Sequence, residues 1–455
     1  MKKEMFGHEI SVLRDTYRRL LHRKAKTNLV KLINKTHPAD LAVIYRYFTD
    51  NDQDYLFNLM SNNEYTTEFL SELDDSILKD LLEDVAPERI VPIIRIASSD
   101  DQTTILNAIS EDKSKIIIDS LHIDEKEEIE EMLAYPEDSA GSMMSRDVFT
   151  LNEELTAGEA INDLQNQEDA EMVFYLYVTD SENHLTGVVS LRALVTTPSS
   201  TKLKDIMIRN VQYVRAETDQ EEVAKIVSRY NLLAVPVVGS NDEILGIVTV
   251  DDVVDVIREE ATEDFLQMAG AGKDREILLK SSWSNARARL PWLFASWLGG
   301  IVAISIIGVF EDMLQSIIAL AAFIPVIIGM GGNIGTQSST IVVRGLATGR
   351  IDFGNDFKLI LKELSVGLIL GGLYGLLLGI LAYFFFKDAP TLFGLVVGLS
   401  ICSSMVIATS VGTVVPLLLR KLEVDPAIAT GPFVTTTIDI LGVGIYFLIA
   451  STLLL

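Results

Sequence analysis

The chain has 455 residues, too many for one ordinary core, and is 48% hydrophobic with a formal net charge of -26, so several domains are expected. The charge is uneven: 31 basic and 55 acidic residues precede Leu290, while seven basic and nine acidic residues lie from Leu290 onward. An acidic front disfavours nucleic acid and favours cations as partners, and a lone cysteine, Cys402, excludes an intrachain disulfide.

The chain begins MKKEMFGHEISVLRDTYRR, without the apolar stretch of a cleavable signal, which predicts a cytoplasmic first half. Residues 1–132 read as entirely helical. HPADLAVIYRYFTDNDQDYLFNLM at 37–60 is echoed by APERIVPIIRIASSDDQTTILNAI at 86–109. Pro38/Pro87, Arg46/Arg95, Asp52/Asp101, Gln53/Gln102 and Asn58/Asn107 match at an offset of 49. Helix-pair repeats of that length predict a small superhelical stack. A plain bundle with a chance repeat is the alternative.

Residues 133–264 hold two related units. The first runs DVFTLNEELTAGEAINDL, then FYLYVTDSENHLTGVVSLRALV; the second runs NVQYVRAETDQEEVAKIV, then LLAVPVVGSNDEILGIVTVDDVV. Each reads strand, acidic helix, strand, turn, strand, helix. The offset is about sixty residues, from Val148 to Val211 and from Gly187 to Gly246. This internal repeat resembles a tandem pair of cystathionine-beta-synthase (CBS) domains, an α/β arrangement that commonly senses adenine nucleotides or ions.

The second unit ends in DDVVDVIREEATEDF. Asp252, Asp255, Glu259 and Glu263 fall on one helical face, with Glu260 and Asp264 as a neighbouring pair. Like charges at i,i+4 destabilise a helix, and a divalent ion held by carboxylates and water would offset that. A solvated acidic face gives the same pattern. Residues 265–289 form a basic stretch, expected to be a connecting helix along the membrane surface.

Five apolar segments follow within 290–455, at roughly 290–310, 314–343, 359–386, 392–419 and 428–455. Arg287, Arg289, Arg344, Arg350, Lys358, Lys362, Arg420 and Lys421 flank one side and Lys387 the other. The positive-inside rule then predicts a cytoplasmic N-terminus and a C-terminus outside. The second segment, FIPVIIGMGGNIGTQSSTIVVRG, is expected to be broken by Pro325, Gly329, Gly331, Gly332 and Gly335. Asn333, Thr336 and Gln337 would line a polar ion path there, or form interhelical hydrogen bonds. Gly367, Gly371, Gly372, Gly375, Gly379, Gly394 and Gly398 in the next two segments suit close helix packing without a pore. Asp439 is the only acidic or basic residue of 426–455. A carboxylate there costs several kcal/mol unless it faces protein, water or an ion.

In this order the pieces resemble one family along the full length: the MgtE magnesium channels of bacteria. The matching stretches are AYPEDSAGSMM at 134–144, the paired CBS units, EEATED at 259–264, IPVIIGMGGNIGTQSS at 324–339 and the last segment with Asp439. The resemblance implies a multidomain homodimer in the bacterial cell membrane: an all-α N-terminal superhelical domain, an α/β tandem CBS pair, a connecting helix and a five-helix α transmembrane domain. It implies that Asp439 binds a largely hydrated magnesium ion, with Asn333 and Gln337 lining or supporting the pore. It also implies regulatory magnesium at Asp252, Asp255, Glu260, Glu263 and Asp264, with Glu221 a further position, holding the channel closed. Asp425 matches an acidic position that helps lock the pore. Asn231 stands where an aspartate is expected; Asn keeps an oxygen but loses a charge, which predicts weaker binding there. Some members bind ATP in the CBS pair, but no residue is carried over for that.

Two other classes compete. A proton- or sodium-coupled divalent cation transporter needs more intramembrane ionisable groups than the one, Asp439, that stands out. A membrane enzyme needs acid–base groups in the spans, where there is no His or paired carboxylate, and the front half shows no phosphate-binding loop motif.

Overall fold

The computed structural model describes residues 2–60, 63–166, 174–273, 277, 280–351, 356–422, 424–429 and 431–454. The chain divides into two compact units, Met1–Ile257 and Arg258–Leu455.

The first unit opens with a run of short helices from Lys2–His22 to Ile123–Leu133. The 49-residue echo is structural. Pro38 and Pro87 each begin a helix at its first turn, where a missing N–H costs nothing. Gln53 Nε2 donates to Tyr45 O at 3.0 Å, and Gln102 Nε2 donates to Ile94 O at 2.9 Å, the same bond moved on by one repeat. Tyr17, Tyr45, Phe57 and Phe69 fill the shared core. The stack predicted for this region is present.

Two three-stranded sheets follow, β1 (Thr150–Asn152), β2 (Tyr175–Thr179) and β3 (Leu185–Ser190), then β4 (Val214–Arg215), β5 (Ala234–Val238) and β6 (Ile244–Thr249). In each, the first pair is parallel and the second antiparallel. Gly187 and Gly246 hold the same register, opposite Val178 and Val237. The repeats exchange partners. Ser145, ahead of the first repeat, pairs both ways with Ile247 at 2.8 Å, and Ile208, ahead of the second, pairs with Val188 at 2.9 and 3.0 Å. A Cβ on Gly246 would lie 2.5 Å from Ser145 O, and one on Gly187 would lie 2.6 Å from Met207 Sδ. Glycine is what lets these strands approach.

Asn231 caps the helix Gln220–Tyr230 in the left-handed conformation, φ 52°, and its N–H reaches Val227 O. Asn tolerates that backbone better than most residues. Asp138 and Asp242 adopt the same backbone elsewhere in the chain, φ 62° and 63°, so the conformation does not explain Asn in place of the expected aspartate.

The second unit carries five helices long and apolar enough to cross a membrane, within Ser282–Val309, Ile318–Ala347, Asp356–Phe385, Phe393–Lys421 and Pro432–Leu454. At 1.5 Å per residue, helices of 23 to 30 residues are about 35–45 Å long, enough for a hydrocarbon core of ~30 Å. Two expectations need correction. The glycine-rich second segment is not broken: Ile324–Ala347 is one helix with Pro325 in its first turn. The irregular backbone lies before it, in the 3-10 turn Ile318–Phe323. Two of its glycines serve packing: Gly331 and Gly335 both receive Ile438, whereas nothing lies within 4 Å of a side chain on Gly329. Nor is 265–289 a single helix. The acidic helix Val250–Met268 ends there, and the first apolar helix begins at Ser282, capped by Ser281 Oγ. Between them Gly270 and Gly272 take positive φ, 68° and 97°, which terminates the acidic helix.

The third and fourth apolar helices meet along glycines as expected. A Cβ on Gly375 would lie 2.5 Å from Gly398 O, and one on Gly394 would lie 2.6 Å from Gly379 O. Tyr446 is fully buried and donates to Leu320 O at 2.8 Å, tying the last helix to the 3-10 turn.

Candidate functional site

The last helix, Pro432–Leu454, places Asp439 two turns from its start. Ile438 seats on Gly331 and Gly335 of the second span, and this contact brings Asp439 to the same level. Asp439 Oδ1 lies 4.0 Å from the position a Gly332 Cβ would take. A half-buried carboxylate therefore rests against the turn that carries Asn333 and Thr336.

Asn333, Gln337 and Thr340 are exposed at i, i+4 and i+7, on one face of the second span. Thr336 is half-buried, and its hydroxyl donates to Gly332 O at 2.9 Å. The structure thus joins the four residues singled out from the sequence into one polar strip, Asp439 on one helix and Asn333, Thr336 and Gln337 on its neighbour. A single copy of the chain leaves that strip uncovered. Below it, a cavity of about 270 Å³ is lined by Thr336, Thr435, Ser296, Pro432, Met268 and Ala269.

One intramembrane carboxylate escaped sequence reasoning. Glu363, in the third span, is 5% exposed, and its Oε2 accepts from Ser338 Oγ at 2.9 Å. In the sequence it follows Lys362 and sits one turn from Lys358, so it reads as an interfacial charge. Asp439 is therefore not the only acidic group set within the apolar helices, and Glu363 is the more deeply buried of the two.

The acidic helix Val250–Met268 is partly covered by further acids. Asp252 is half-buried and accepts from the Thr249 hydroxyl. Burial pushes its carboxyl up to about 7, with Asp100 and Asp251 adding repulsion against the Thr249 hydrogen bond. Asp100 is raised too, first by burial, and its buried Oδ1 has no hydrogen-bond partner among the described residues. Glu72 is raised by burial and then by Asp255. The helical domain thus sets Asp100 and Glu72 against Asp252 and Asp255. Neither was legible in the sequence, where they are two among 64 acidic residues.

The remaining expected sensor residues are placed differently. Glu221 pairs with Lys225 at 2.9 Å, four residues on along its own helix. Glu263 accepts from Gln267 Nε2 at 2.8 Å and lies 3.3 Å from Lys273. Asp425 Oδ1 accepts from Ala427 N at 2.8 Å and starts the turn Pro426–Ala429 before the last helix. Glu260 and Asp264 lie half-buried on the acidic helix. Among the described residues no three His, Cys, Asp or Glu side chains converge closely enough to hold a metal ion by themselves. A cation on these carboxylates would keep much of its water, as magnesium does.

Phe174, Tyr175, Ser190, Leu191, Arg192 and Val195 of the first repeat and Leu233 of the second line an open, mainly apolar cleft of about 520 Å³.

Comparison with known proteins agrees with this architecture. Residues 324–449 match a family model described as the divalent cation transporter MgtE. Residues 36–138 match the MgtE intracellular N domain, and 140–199 and 203–259 each match a CBS domain. The magnesium transporter MgtE of Thermus thermophilus is 36% identical over 432 residues, 94% of this chain and 95% of that one. The magnesium transporter MgtE of Bacillus subtilis is 34% identical over 421 residues, 92% of each. The crystal structure of the cytosolic domain of the Mg2+ channel MgtE in complex with ATP is 32% identical, with a TM-score of 0.51, and covers 53% of this chain and 99% of that one. The chain is a multi-pass membrane protein and belongs to the MgtE family.

Proposed function

We propose that the chain is a magnesium channel of the bacterial cell membrane, working as a homodimer with the ion path between two copies. The uncovered polar strip carries this reading. Asp439, Asn333, Gln337 and Thr340 lie within apolar helices, and a carboxylate facing lipid there would cost several kcal/mol. A second copy of the same strip, with water and a cation between, covers it symmetrically. Two Asp439 carboxylates across such an axis repel until a divalent cation joins them. One carboxylate per chain with neutral oxygens around it also keeps binding weak enough for release. The likeness to proteins named magnesium transporters supports magnesium as the cargo.

In this reading the N-terminus is cytoplasmic and the C-terminus outside, following the loop charges. Cytoplasmic magnesium binds the acidic front, at Asp252 and Asp255 with Glu260, Glu263, Asp264 and Asp425, and holds the channel closed. Glu221 and Glu263 each have a lysine neighbour, Lys225 at 2.9 Å and Lys273 at 3.3 Å, with which a bound cation would compete. ATP, with which a relative's cytosolic domain was crystallised, would bind in the CBS pair.

Glu363 gives a second reading some footing, a proton- or sodium-coupled divalent cation transporter, because it adds a buried carboxylate to the membrane part. The first test is Asp439→Ala and Asp439→Asn in proteoliposomes. Magnesium flux is expected to fall about tenfold or more, the change that ~1.4 kcal/mol on a barrier produces, in a protein that still assembles. Wild-type flux in an assembled Asp439→Ala protein would remove Asp439 from the path.

A further inference from the structure

Glu363 and Ser338 form a contact that the ion path does not use. Ser338 is 2% exposed and lies off the uncovered strip. At 3.6 residues per turn it stands about 140° around the second span from Asn333 and about 100° from Gln337. Its hydroxyl donates to Glu363 Oε2 on the third span at 2.9 Å. Both partners are buried, so this bond lies out of reach of bulk water, where leaving either group unpaired is costly.

The second span also buries Ile327, Ile334, Val342, Val343 and Leu346, but these apolar contacts carry no hydrogen-bond direction, and around Ser338 its surface is glycine. Gly331 and Gly335 present no side chain and pack on Ile438. Gly412 of the fourth span comes against Gly335, and a Cβ there would lie 3.2 Å from Ser338 Cβ. The neighbouring hydroxyls of Thr409 and Thr413 are spent on carbonyls of their own helix, Val406 O at 3.0 Å and Thr409 O at 2.7 Å. Apolar packing sets how closely the helices approach, and a hydrogen bond between two side chains adds a direction. The Ser338–Glu363 bond is directional, and it sits six residues, about 9 Å, along the helix from Gly332 at the Asp439 level.

We infer that Glu363 is a positioning residue for permeation: as a hydrogen-bond acceptor it fixes the rotation of the second span and so aims Asn333 and Gln337 into the path. The inference rests on the ion path proposed above. It needs the acceptor oxygen and not the charge, which separates it from a coupling role for Glu363.

The test uses the full chain in proteoliposomes with Glu363→Leu, Glu363→Gln and Ser338→Ala. Two readouts are taken on protein normalised to its assembled fraction: the ratio of magnesium to cobalt flux, and labelling of Thr340→Cys by a water-soluble maleimide in a Cys402→Ala background. Glu363→Leu and Ser338→Ala should lower magnesium flux about tenfold and about threefold, shift the ion ratio, and change the labelling rate at least about threefold. Glu363→Gln, which keeps an acceptor, should stay within about twofold of wild type on both. Unchanged ion ratio and labelling in Glu363→Leu and Ser338→Ala would overturn the inference. So would a loss in Glu363→Gln as deep as in Glu363→Leu, which would make the carboxylate itself essential. If Glu363→Leu fails to assemble, Ser338→Ala decides by the same readouts. Labelling needs no magnesium flux, so it tests the inference even if the wild-type chain carries no magnesium, an outcome that would instead defeat the proposed cargo.

Discussion

A carboxylate is informative in proportion to how little it can be ignored. Asp439 was legible because nothing else in its span is charged. Glu363 was not, because two lysines nearby make it look like a span boundary, and only the fold shows it 5% exposed. Asp100 and Glu72 were hidden by abundance, since pairing them with Asp252 and Asp255 requires the helical domain to be folded against the second repeat. Asp252 makes a prediction of definite sign. Its folded-state carboxyl is pushed up to about 7, above the ordinary value near 3.9. The native state therefore holds a proton that the unfolded state has released, and stability falls as pH rises from about 4 to about 7. Without divalent cations the full chain in detergent should resist proteolysis within Met1–Ile257 better at pH 5.5 than at pH 8. Asp252→Asn should flatten that difference, and millimolar magnesium should restore protection chiefly at pH 8 by binding the native state. Equal protection at both pH values in wild type would mean that Asp252 is ordinarily solvated.

At the scale of elements, periodicity was a good guide and glycine a misleading one. The 49-residue helix repeat and the paired strands follow from patterns that repeat in the chain, and Gln53 and Gln102 make the same bond at the same offset. The second span was expected to break because glycine weakens an isolated helix. In a packed membrane bundle the same glycines let neighbours approach, and the helix runs unbroken from Ile324 to Ala347. The opposite error fell on 265–289, where Gly270 and Gly272 end the acidic helix through positive φ, a property of two residues within an otherwise helix-like stretch. Two glycines of the third span separate packing from propensity. A side chain on Gly375 would meet Gly398 O at 2.5 Å, whereas nothing lies within 4 Å of one on Gly372. Gly375→Val should cost about 1–3 kcal/mol through overpacking, lowering Tm by several degrees at ~2–4 °C per kcal/mol. Gly372→Val should leave Tm unchanged within about 1 °C. Similar shifts for both would show that helix propensity, and not the contact with Gly398, sets the cost.

The acidic residues lie mostly ahead of the apolar bundle, and the bundle exposes Asn333, Gln337 and Thr340 on one face. Regulation by internal magnesium predicts a specific separation of functions. Asp255→Asn, Glu263→Gln and Asp425→Asn together should leave magnesium conduction intact and remove closure at high internal magnesium. A triple variant that still shuts at the wild-type concentration would place the sensor elsewhere. The central claim, a magnesium path that needs no other ion, is tested most directly by flux. The purified full chain is placed in liposomes with a set magnesium gradient and membrane potential, with proton and sodium gradients imposed or collapsed. Magnesium entry that follows its own electrochemical gradient, unchanged when the other two gradients are collapsed, is the predicted result. Entry that stops when the proton or the sodium gradient is removed would contradict the channel and assign the coupled mechanism instead.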